Sequence, residues 1–102
     1  MHSHRIQLVE WHDQAAVLRK IRETVFIHEQ HVPVELEWDE FDEVSLHVLA
    51  ANSLGEPVGT ARLLPDGHIG RMAVLKEWRR KGLGGAMLLR LLEESKRLGM
   101  KE

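Results

Sequence analysis

The alternation of apolar and polar residues marks out a strand and then a helix at the start of the chain. Residues 5–11 alternate loosely and predict a first strand. From Asp13, a candidate helix N-cap, apolar residues recur at helical spacing to about Ile27, which predicts a first helix. Pro33 ends any continuation of that helix, because proline lacks the backbone N–H and clashes with the preceding turn.

Three more strand-like stretches follow, at residues 46–51, 57–64 and 68–74. The polar loop 52–56 joins the first two as a hairpin, and Pro65-Asp66-Gly67 is a strong turn signal between the second and third. Connections this short join antiparallel neighbours, so we expect an antiparallel meander.

The last apolar pattern predicts a helix from Leu83 to Leu98 that Gly99 terminates. Its apolar residues cover more than one stripe, so we expect it to pack across a sheet. The element order is then β-α-β-β-β-α, in one α/β (α+β) domain spanning residues 1–102. A crossover helix normally returns to a parallel strand, so the sequence is expected to be the N-terminal portion of a longer fold.

Composition removes several classes of site. The chain has no cysteine, which excludes disulfides, thiolate metal ligands and a cysteine nucleophile, and which suits a cytoplasmic protein. No apolar run approaches the ~20 residues that span a bilayer, so no membrane association is expected. Charge is uneven: residues 1–50 carry a net −6 and residues 51–102 a net +4. The second half therefore suits an anionic ligand, and the acidic first half suits a cationic one.

The most informative stretch is Arg79 to Gly85, with sequence R-R-K-G-L-G-G, between the fourth strand and the last helix. Glycines allow close backbone approach to a ligand, and the helix N-terminus directs unpaired N–H groups and a positive dipole end at the same point. These features predict a pyrophosphate receptor. A nucleotide P-loop is excluded because Ala86-Met87 follow where Lys-Ser/Thr is needed, and a dinucleotide fingerprint is excluded by the glycine spacing.

The pattern that fits is R-x-x-G-x-G, formed by Arg79, Gly82 and Gly84, and it resembles the acetyl-coenzyme A signature of the GNAT superfamily of N-acetyltransferases. Further segments resemble the ElaA-like branch, and the match covers nearly the whole chain. They are residues 25–30 (VFIHEQ), Val32-Pro33, Glu35, Asp39, Asp42 ahead of His47, residues 58–62 (VGTAR) and residues 69–74 (IGRMAV). The implied fold is a GNAT-type acyl-CoA N-acyltransferase fold with a mixed, mostly antiparallel sheet flanked by helices.

The resemblance implies direct transfer of acetyl from acetyl-CoA to a primary amine on a small molecule or peptide. It implies that the fourth strand binds the pantetheine arm through backbone groups, and that the glycine turn holds the pyrophosphate. The implied cofactor-binding residues are Met72, Ala73, Val74, Arg79, Arg80, Lys81, Gly82, Leu83, Gly84 and Gly85. Glu29 is the candidate catalytic residue, as a general base that takes the proton of the amine.

The family normally adds a fifth strand and a later helix whose tyrosine protonates the leaving thiolate. This chain has no tyrosine, and those elements would lie beyond Glu102. An inactive or incomplete relative that binds CoA or a partner without turnover is therefore an alternative. The exposed edge of the fourth strand is also expected to favour a homodimer.

Other residues have more than one interpretation. His47 is a second candidate base or a hydrogen-bonded structural histidine, and Arg62 and Arg71 either bind an acidic acceptor or pair with the acidic segment 35–43; we favour the structural choices. His28 and His31 lack the spacing and third ligand of a metal site, so no metal is expected.

Trp78 beside the basic run predicts either a core anchor for the loop or a platform for a nucleic-acid base. The chain is net acidic and has no broader basic stripe, so a nucleic-acid-binding module is the weaker interpretation and no nucleic-acid partner is expected.

Overall fold

The computed structural model describes residues 5–32 and 40–99 of the chain. The predicted element order is confirmed, with boundaries within a few residues of those expected. The elements are β1 (Arg5–Glu10), α1 (Trp11–Arg22), β2 (Leu46–Ala51), β3 (Pro57–Leu63), β4 (Ile69–Val74) and α2 (Leu83–Arg97). A π-helical segment, Glu23–Glu29, extends α1, and short 3-10 turns lie at Glu40–Asp42 and Lys76–Trp78.

The four strands form one sheet in the order β1-β2-β3-β4, with every neighbouring pair antiparallel, as the short connections predicted. Between β3 and β4 the register shifts, because Thr60 faces Ala73 whereas Arg62 faces Gly70. Two residues of β4 therefore lie opposite one residue of β3, which is a β-bulge. Arg71 lies in this bulge with a left-handed φ of 48°.

The sheet is covered on both faces, which explains why the central strands are buried along almost their whole length. Val48 and Ala50 pack with α2 on one face, and Leu49, which lies between them in β2, packs with α1 on the other. The α2 side also depends on Gly59, where a Cβ would lie 3.2 Å from the Met87 Cε. A glycine in β3 thus lets α2 approach the sheet closely.

The start of α1 differs from the prediction. The helix begins at Trp11, with Glu10 as the preceding residue, so the prediction of Asp13 as the N-cap was wrong. Gln14 departs from helical geometry (φ −124°, ψ 15°) and kinks the helix within its first turns. The kink lets Trp11 be buried against the sheet while the remainder of the helix packs along it.

A cluster of buried charges ties α1 to the sheet. The Arg22 Nη1 donates to the Asp42 Oδ1 at 2.8 Å, and the Arg62 Nη1 donates to the same oxygen at 3.1 Å. The His47 Nε2 lies 2.9 Å from the Asp42 carbonyl oxygen. Arg62 therefore pairs with the acidic segment, as predicted; residues 35–39 of that segment lie outside the described residues.

His47 is the hydrogen-bonded buried histidine that the sequence favoured. Burial lowers the pKa of its imidazole, and Arg22 and Arg62 lower that pKa further, whereas the hydrogen bond to the Asp42 carbonyl and the Asp42 charge raise it. The neutral form can donate its Nε2–H to the carbonyl oxygen of Asp42, so the contact requires no charge on the ring.

Candidate functional site

A cavity of about 290 Å³ lies where the end of β4, the loop after it and the first turn of α2 meet. It brings together eight of the residues predicted from the sequence, and three that were not. The lining residues are Met72, Ala73, Val74, Arg79, Arg80, Gly82, Leu83 and Gly84, together with Val25, Gln30 and Trp78. Lys81 and Gly85, which were also predicted, flank the lining residues in sequence.

The outer edge of β4 supplies backbone groups to this cavity. The Leu75 N–H donates to the Val58 carbonyl at 2.9 Å, so the peptide groups of Leu75 face β3. Backbone groups alternate in an antiparallel ladder, so those of Val74 face the other way, towards the outer edge. Ala73 is paired with Thr60, and the residue is 2% exposed. In the described part of the chain, β4 is an edge strand.

The loop after β4 turns the chain so that α2 begins at the same cavity. Arg80 (φ 63°) and Gly82 (φ 81°) both have left-handed backbone conformations, and Gly82 is the N-cap of α2 without a side-chain cap. The first hydrogen bond of the helix runs from the Ala86 N–H to the Gly82 carbonyl, at 3.0 Å. The N–H groups before Ala86 precede the intrahelical ladder, and they carry the positive end of the helix dipole.

Gly84 keeps this helix terminus open. A Cβ at Gly84 would meet only the Met72 Sδ, at 3.7 Å, so the space in front of it belongs to the cavity. Trp78 packs against the α2 side of the core, as one of the two sequence interpretations predicted, and the Lys81 Nζ lies 5.9 Å from its ring centroid. The loop therefore has an apolar anchor in Trp78, open space in front of Gly84 and a cation at Lys81. Together these features suit an anionic ligand.

Arg79 and Glu29, predicted for different roles, contact each other. The Arg79 Nη1 lies 2.5 Å from the Glu29 Oε1, and the Nη2 donates to the Glu29 Oε2 at 2.8 Å, so the pair is bidentate. The Arg79 Nε donates to the Val74 carbonyl at 2.9 Å. Both side chains are about one-third exposed, at 36% and 33%.

The pair changes the chemistry of both groups. The hydrogen bonds from Arg79 lower the pKa of the Glu29 carboxyl, and the same contact raises the pKa of the Arg79 guanidinium. A carboxylate with a lowered pKa is a weaker proton acceptor. Glu29 as a general base stays a prediction, but in this arrangement its two oxygens face an arginine.

Three cavity residues were missed by the sequence analysis. Val25 and Gln30 come from the π-helical segment and the residue after it. Trp78, for which the sequence predicts a core anchor or a stacking platform, also lines the cavity. The VFIHEQ segment carries part of the family resemblance, yet apolar spacing does not reveal which of its side chains turns towards β4. The wider turn of a π-helix rotates the following residues relative to an α-helical continuation.

The described residues show neither a metal cluster nor a membrane span. Within residues 5–32 and 40–99, histidine and acidic side chains do not gather in groups of three or more that would hold a metal ion. His28 instead lies with its Nε2 3.2 Å from the Glu23 Oε1, with both side chains more than half exposed. No helix in the described part of the chain is long and apolar enough to cross a bilayer.

Comparison with known proteins gives one consistent family. The sequence model of the acetyltransferase (GNAT) family matches residues 7–102. YjcF of Bacillus subtilis (strain 168), an uncharacterized N-acetyltransferase, is 38% identical over 78 residues, which are 74% of this chain and 54% of that protein. The chain spans about half the length of the curated relatives it matches.

Solved structures agree with the sequence relatives. An acyl-CoA N-acyltransferase from Pseudomonas aeruginosa superposes with a TM-score of 0.83 and 28% identity, over 94% of this chain and 73% of that one. ElaA of Escherichia coli superposes with a TM-score of 0.78 and 25% identity, over 93% and 71% of the two chains. The resemblance to ElaA that the sequence motifs indicated is confirmed.

Proposed function

Since the chain belongs to the GNAT family of acetyltransferases, we propose that it binds acetyl-CoA in the cavity between β4 and α2 and transfers acetyl directly to a primary amine. One observation carries this proposal: the outer edge of β4 and the open N-terminus of α2 meet at a single cavity. Coenzyme A has an amide-rich arm joined to a pyrophosphate, and these two surfaces complement those two parts.

The backbone of the chain would supply most of the binding. The pantetheine arm would lie along the outer edge of β4, beside Met72 and Val74, like an added strand. The Val74 carbonyl already accepts a hydrogen bond from the Arg79 Nε, so the N–H is the backbone group of Val74 that is left for the ligand. The N–H groups at Gly82 to Gly85 suit the pyrophosphate oxygens. Arg80 and Lys81 are exposed beside this turn and add positive charge near the phosphates.

The proposed acetyl transfer takes place at the outer edge of β4. A neutral amine attacks the thioester carbonyl, the C–N bond forms and the C–S bond breaks. The nitrogen loses one proton to solvent, and the sulfur leaves as a thiolate that takes up one proton. The N–H of Val74 points outward from β4 and is the candidate donor to the oxyanion that develops on the carbonyl oxygen. The chain has no cysteine, which is consistent with direct transfer and not with a cysteine acyl-enzyme.

The acceptor is proposed only by class, as a small-molecule or peptide amine. The net charge of −6 on residues 1–50 favours a cationic molecule, and primary amines are cationic at neutral pH before they lose a proton to react. We also propose a cytoplasmic location and, for chains without bound CoA, a homodimer through the β4 edge, because the pantetheine arm and a second copy would occupy the same edge. Nucleic-acid binding is not proposed, because Trp78 packs against the core.

The test of the cofactor site is calorimetric titration of the 102-residue chain with acetyl-CoA. The unmutated chain is expected to bind, and Gly84→Glu is expected to weaken binding by at least about tenfold, ~1.4 kcal/mol, because a carboxylate would face the phosphates at the helix N-terminus. The matched control is Ala86→Glu, which adds the same charge two residues later at an exposed position that does not line the cavity.

The outcomes separate the proposed enzyme from its alternative. Unchanged affinity in Gly84→Glu would refute the placement of the pyrophosphate, and no heat with the unmutated chain at millimolar ligand would refute the cofactor proposal for this chain. Binding without release of free thiol across a panel of amines would instead indicate a relative that holds CoA without turnover.

A further inference from the structure

One guanidinium connects three parts of the molecule that border the cavity. The Nη atoms of Arg79 hold Glu29 at the end of the π-helical segment, and its Nε holds the carbonyl of Val74 at the end of β4. Its own backbone begins the turn that leads to Gly82 and α2. Glu29 and Arg79 are 50 residues apart in the sequence, so the contact fixes distant segments relative to each other.

The contacts of Arg79 limit what else it can bind. Its Nη1, Nη2 and Nε atoms each have a protein oxygen at 2.5 to 2.9 Å, and its positive charge is matched by the Glu29 carboxylate. A guanidinium held in this fork geometry presents little of its charge to a phosphate. The neighbouring Arg80 and Lys81 are exposed, and they would take over the electrostatic role.

We propose that Glu29 is a positioning residue for the proposed CoA site, acting through Arg79 without touching the substrate. By holding the guanidinium, Glu29 sets the direction of the Val74 carbonyl and the start of the glycine turn. The β4 edge and the α2 N-terminus then face the same ligand before it arrives, which lowers the cost of ordering them on binding. This inference rests on the proposed function, because the device matters only if the cavity binds CoA.

Neutralising Glu29 is predicted to change CoA affinity in opposite directions by simple electrostatics and by a positioning role. A carboxylate beside a pyrophosphate site repels the ligand, so its neutralisation alone would tighten CoA binding and would also free Arg79 to contact phosphate. If Glu29 positions Arg79, the same neutralisation weakens CoA binding. A third possibility, Glu29 as general base, predicts slower turnover with CoA affinity unchanged.

The experiment measures the dissociation constant of CoA by calorimetry for the unmutated chain, Glu29→Gln, Glu29→Asp, Arg79→Gln and the double variant Glu29→Gln/Arg79→Gln. Glu29→Gln is expected to raise the dissociation constant on the order of tenfold, since small misplacements of a site are costly. Glu29→Asp keeps the charge and is expected to recover part of that loss. The double variant is expected to bind no worse than Arg79→Gln, because both changes break one contact.

The matched control is Glu23→Gln. Glu23 opens the same π-helical segment, is exposed, and pairs with His28 rather than with a cavity residue, so removing its charge tests the general electrostatic effect. CoA affinity in Glu23→Gln is expected to stay close to that of the unmutated chain.

Each other outcome overturns the proposal in a recognisable way. Equal or tighter CoA binding by Glu29→Gln, or losses in the two single variants that add in the double variant, contradict a positioning role. Slower acetyl transfer by Glu29→Gln at unchanged CoA affinity reassigns Glu29 as the base. If the unmutated chain does not bind CoA, the proposed function itself fails, whereas binding by the unmutated chain with an indifferent Glu29→Gln refutes this inference alone.

Discussion

Two arginine–carboxylate clusters in the described part of the chain have the same chemistry and opposite surroundings. Around Asp42, the two arginines and the acid have side chains no more than 6% exposed, enclosed between α1 and the sheet. The Glu29–Arg79 pair is about one-third exposed and borders the cavity. Breaking a buried pair leaves charge without water to solvate it, whereas an exposed pair exchanges its partner for water at small cost.

This difference separates stability from function. The buried cluster joins α1, the turn before β2, and β3, so its loss should loosen the whole fold. The exposed pair is expected to contribute little to folding. We propose that its bidentate geometry orients the Val74 carbonyl and the glycine turn. Three measurements would sharpen or break this division of roles.

The largest effect is expected at Asp42. Asp42→Asn keeps the shape of the side chain but removes the charge that Arg22 and Arg62 share, so the free energy of unfolding should fall by about 3 kcal/mol. Urea denaturation followed by circular dichroism measures this. Glu43→Gln, an exposed neighbour, is the control and should leave the midpoint nearly unchanged. A loss below about 1 kcal/mol in Asp42→Asn would show that the buried cluster does not hold the fold together.

A smaller effect, dependent on pH, is expected at His47. Burial lowers the pKa of His47 in the folded state, so the unfolded chain takes up the proton first as pH falls. Stability is therefore full above the ordinary histidine pKa of 6.5 and declines as pH drops from there towards the folded-state pKa. The urea midpoint of the unmutated chain should fall between pH 7.5 and pH 5.5.

The matched variants for this pH effect are His47→Gln and His28→Gln. His47→Gln should reduce the fall of the urea midpoint between pH 7.5 and pH 5.5, whatever its effect on stability at pH 7.5. The second removes an exposed histidine and should leave the slope close to that of the unmutated chain. Equal slopes in the unmutated chain and His47→Gln would contradict the protonation account.

The smallest effect is expected at the exposed pair. Glu29→Gln should leave the urea midpoint within error of the unmutated chain, because both partners become solvated when the pair is broken. The same variant is expected to lose CoA affinity, so one substitution would separate binding from folding. A midpoint that falls as far as in Asp42→Asn would erase the distinction between the two clusters.

Much of the fold was predictable because it depends on local patterns. β2 was predicted with its observed boundaries, since a short apolar run between polar loops has few other interpretations. The turn at Pro65-Asp66-Gly67 and the stop at Gly99 were also local signals, and Gly67 and Gly99 have left-handed conformations. The favoured pairing of Arg62 with the acidic segment is also observed, through Asp42.

What the sequence missed depends on hydrogen-bond register or on long-range contact. The kink at Gln14 and the π-helical extension alter backbone register without changing the apolar pattern. Arg71 adopts a positive φ, which cannot be predicted from an arginine in a strand-like sequence. The contact between Glu29 and Arg79 could not be inferred, because nothing in either local motif refers to a partner 50 residues away.

The bulge at Arg71 determines which peptide groups of β4 point outward from the edge of the sheet. Pairing from the turn side, in which Leu63 lies opposite Ile69, would without the extra residue place Val74 opposite Val58, with its peptide groups directed into the sheet. The inserted residue shifts this parity by one, so the groups of Val74 point outward and those of Ala73 point inward. The number of residues between the turn and the end of β4 therefore decides which peptide groups a ligand meets. A single deletion in the bulge would turn the peptide groups of Val74 into the sheet and those of Ala73 outward, although no remaining residue would change its type.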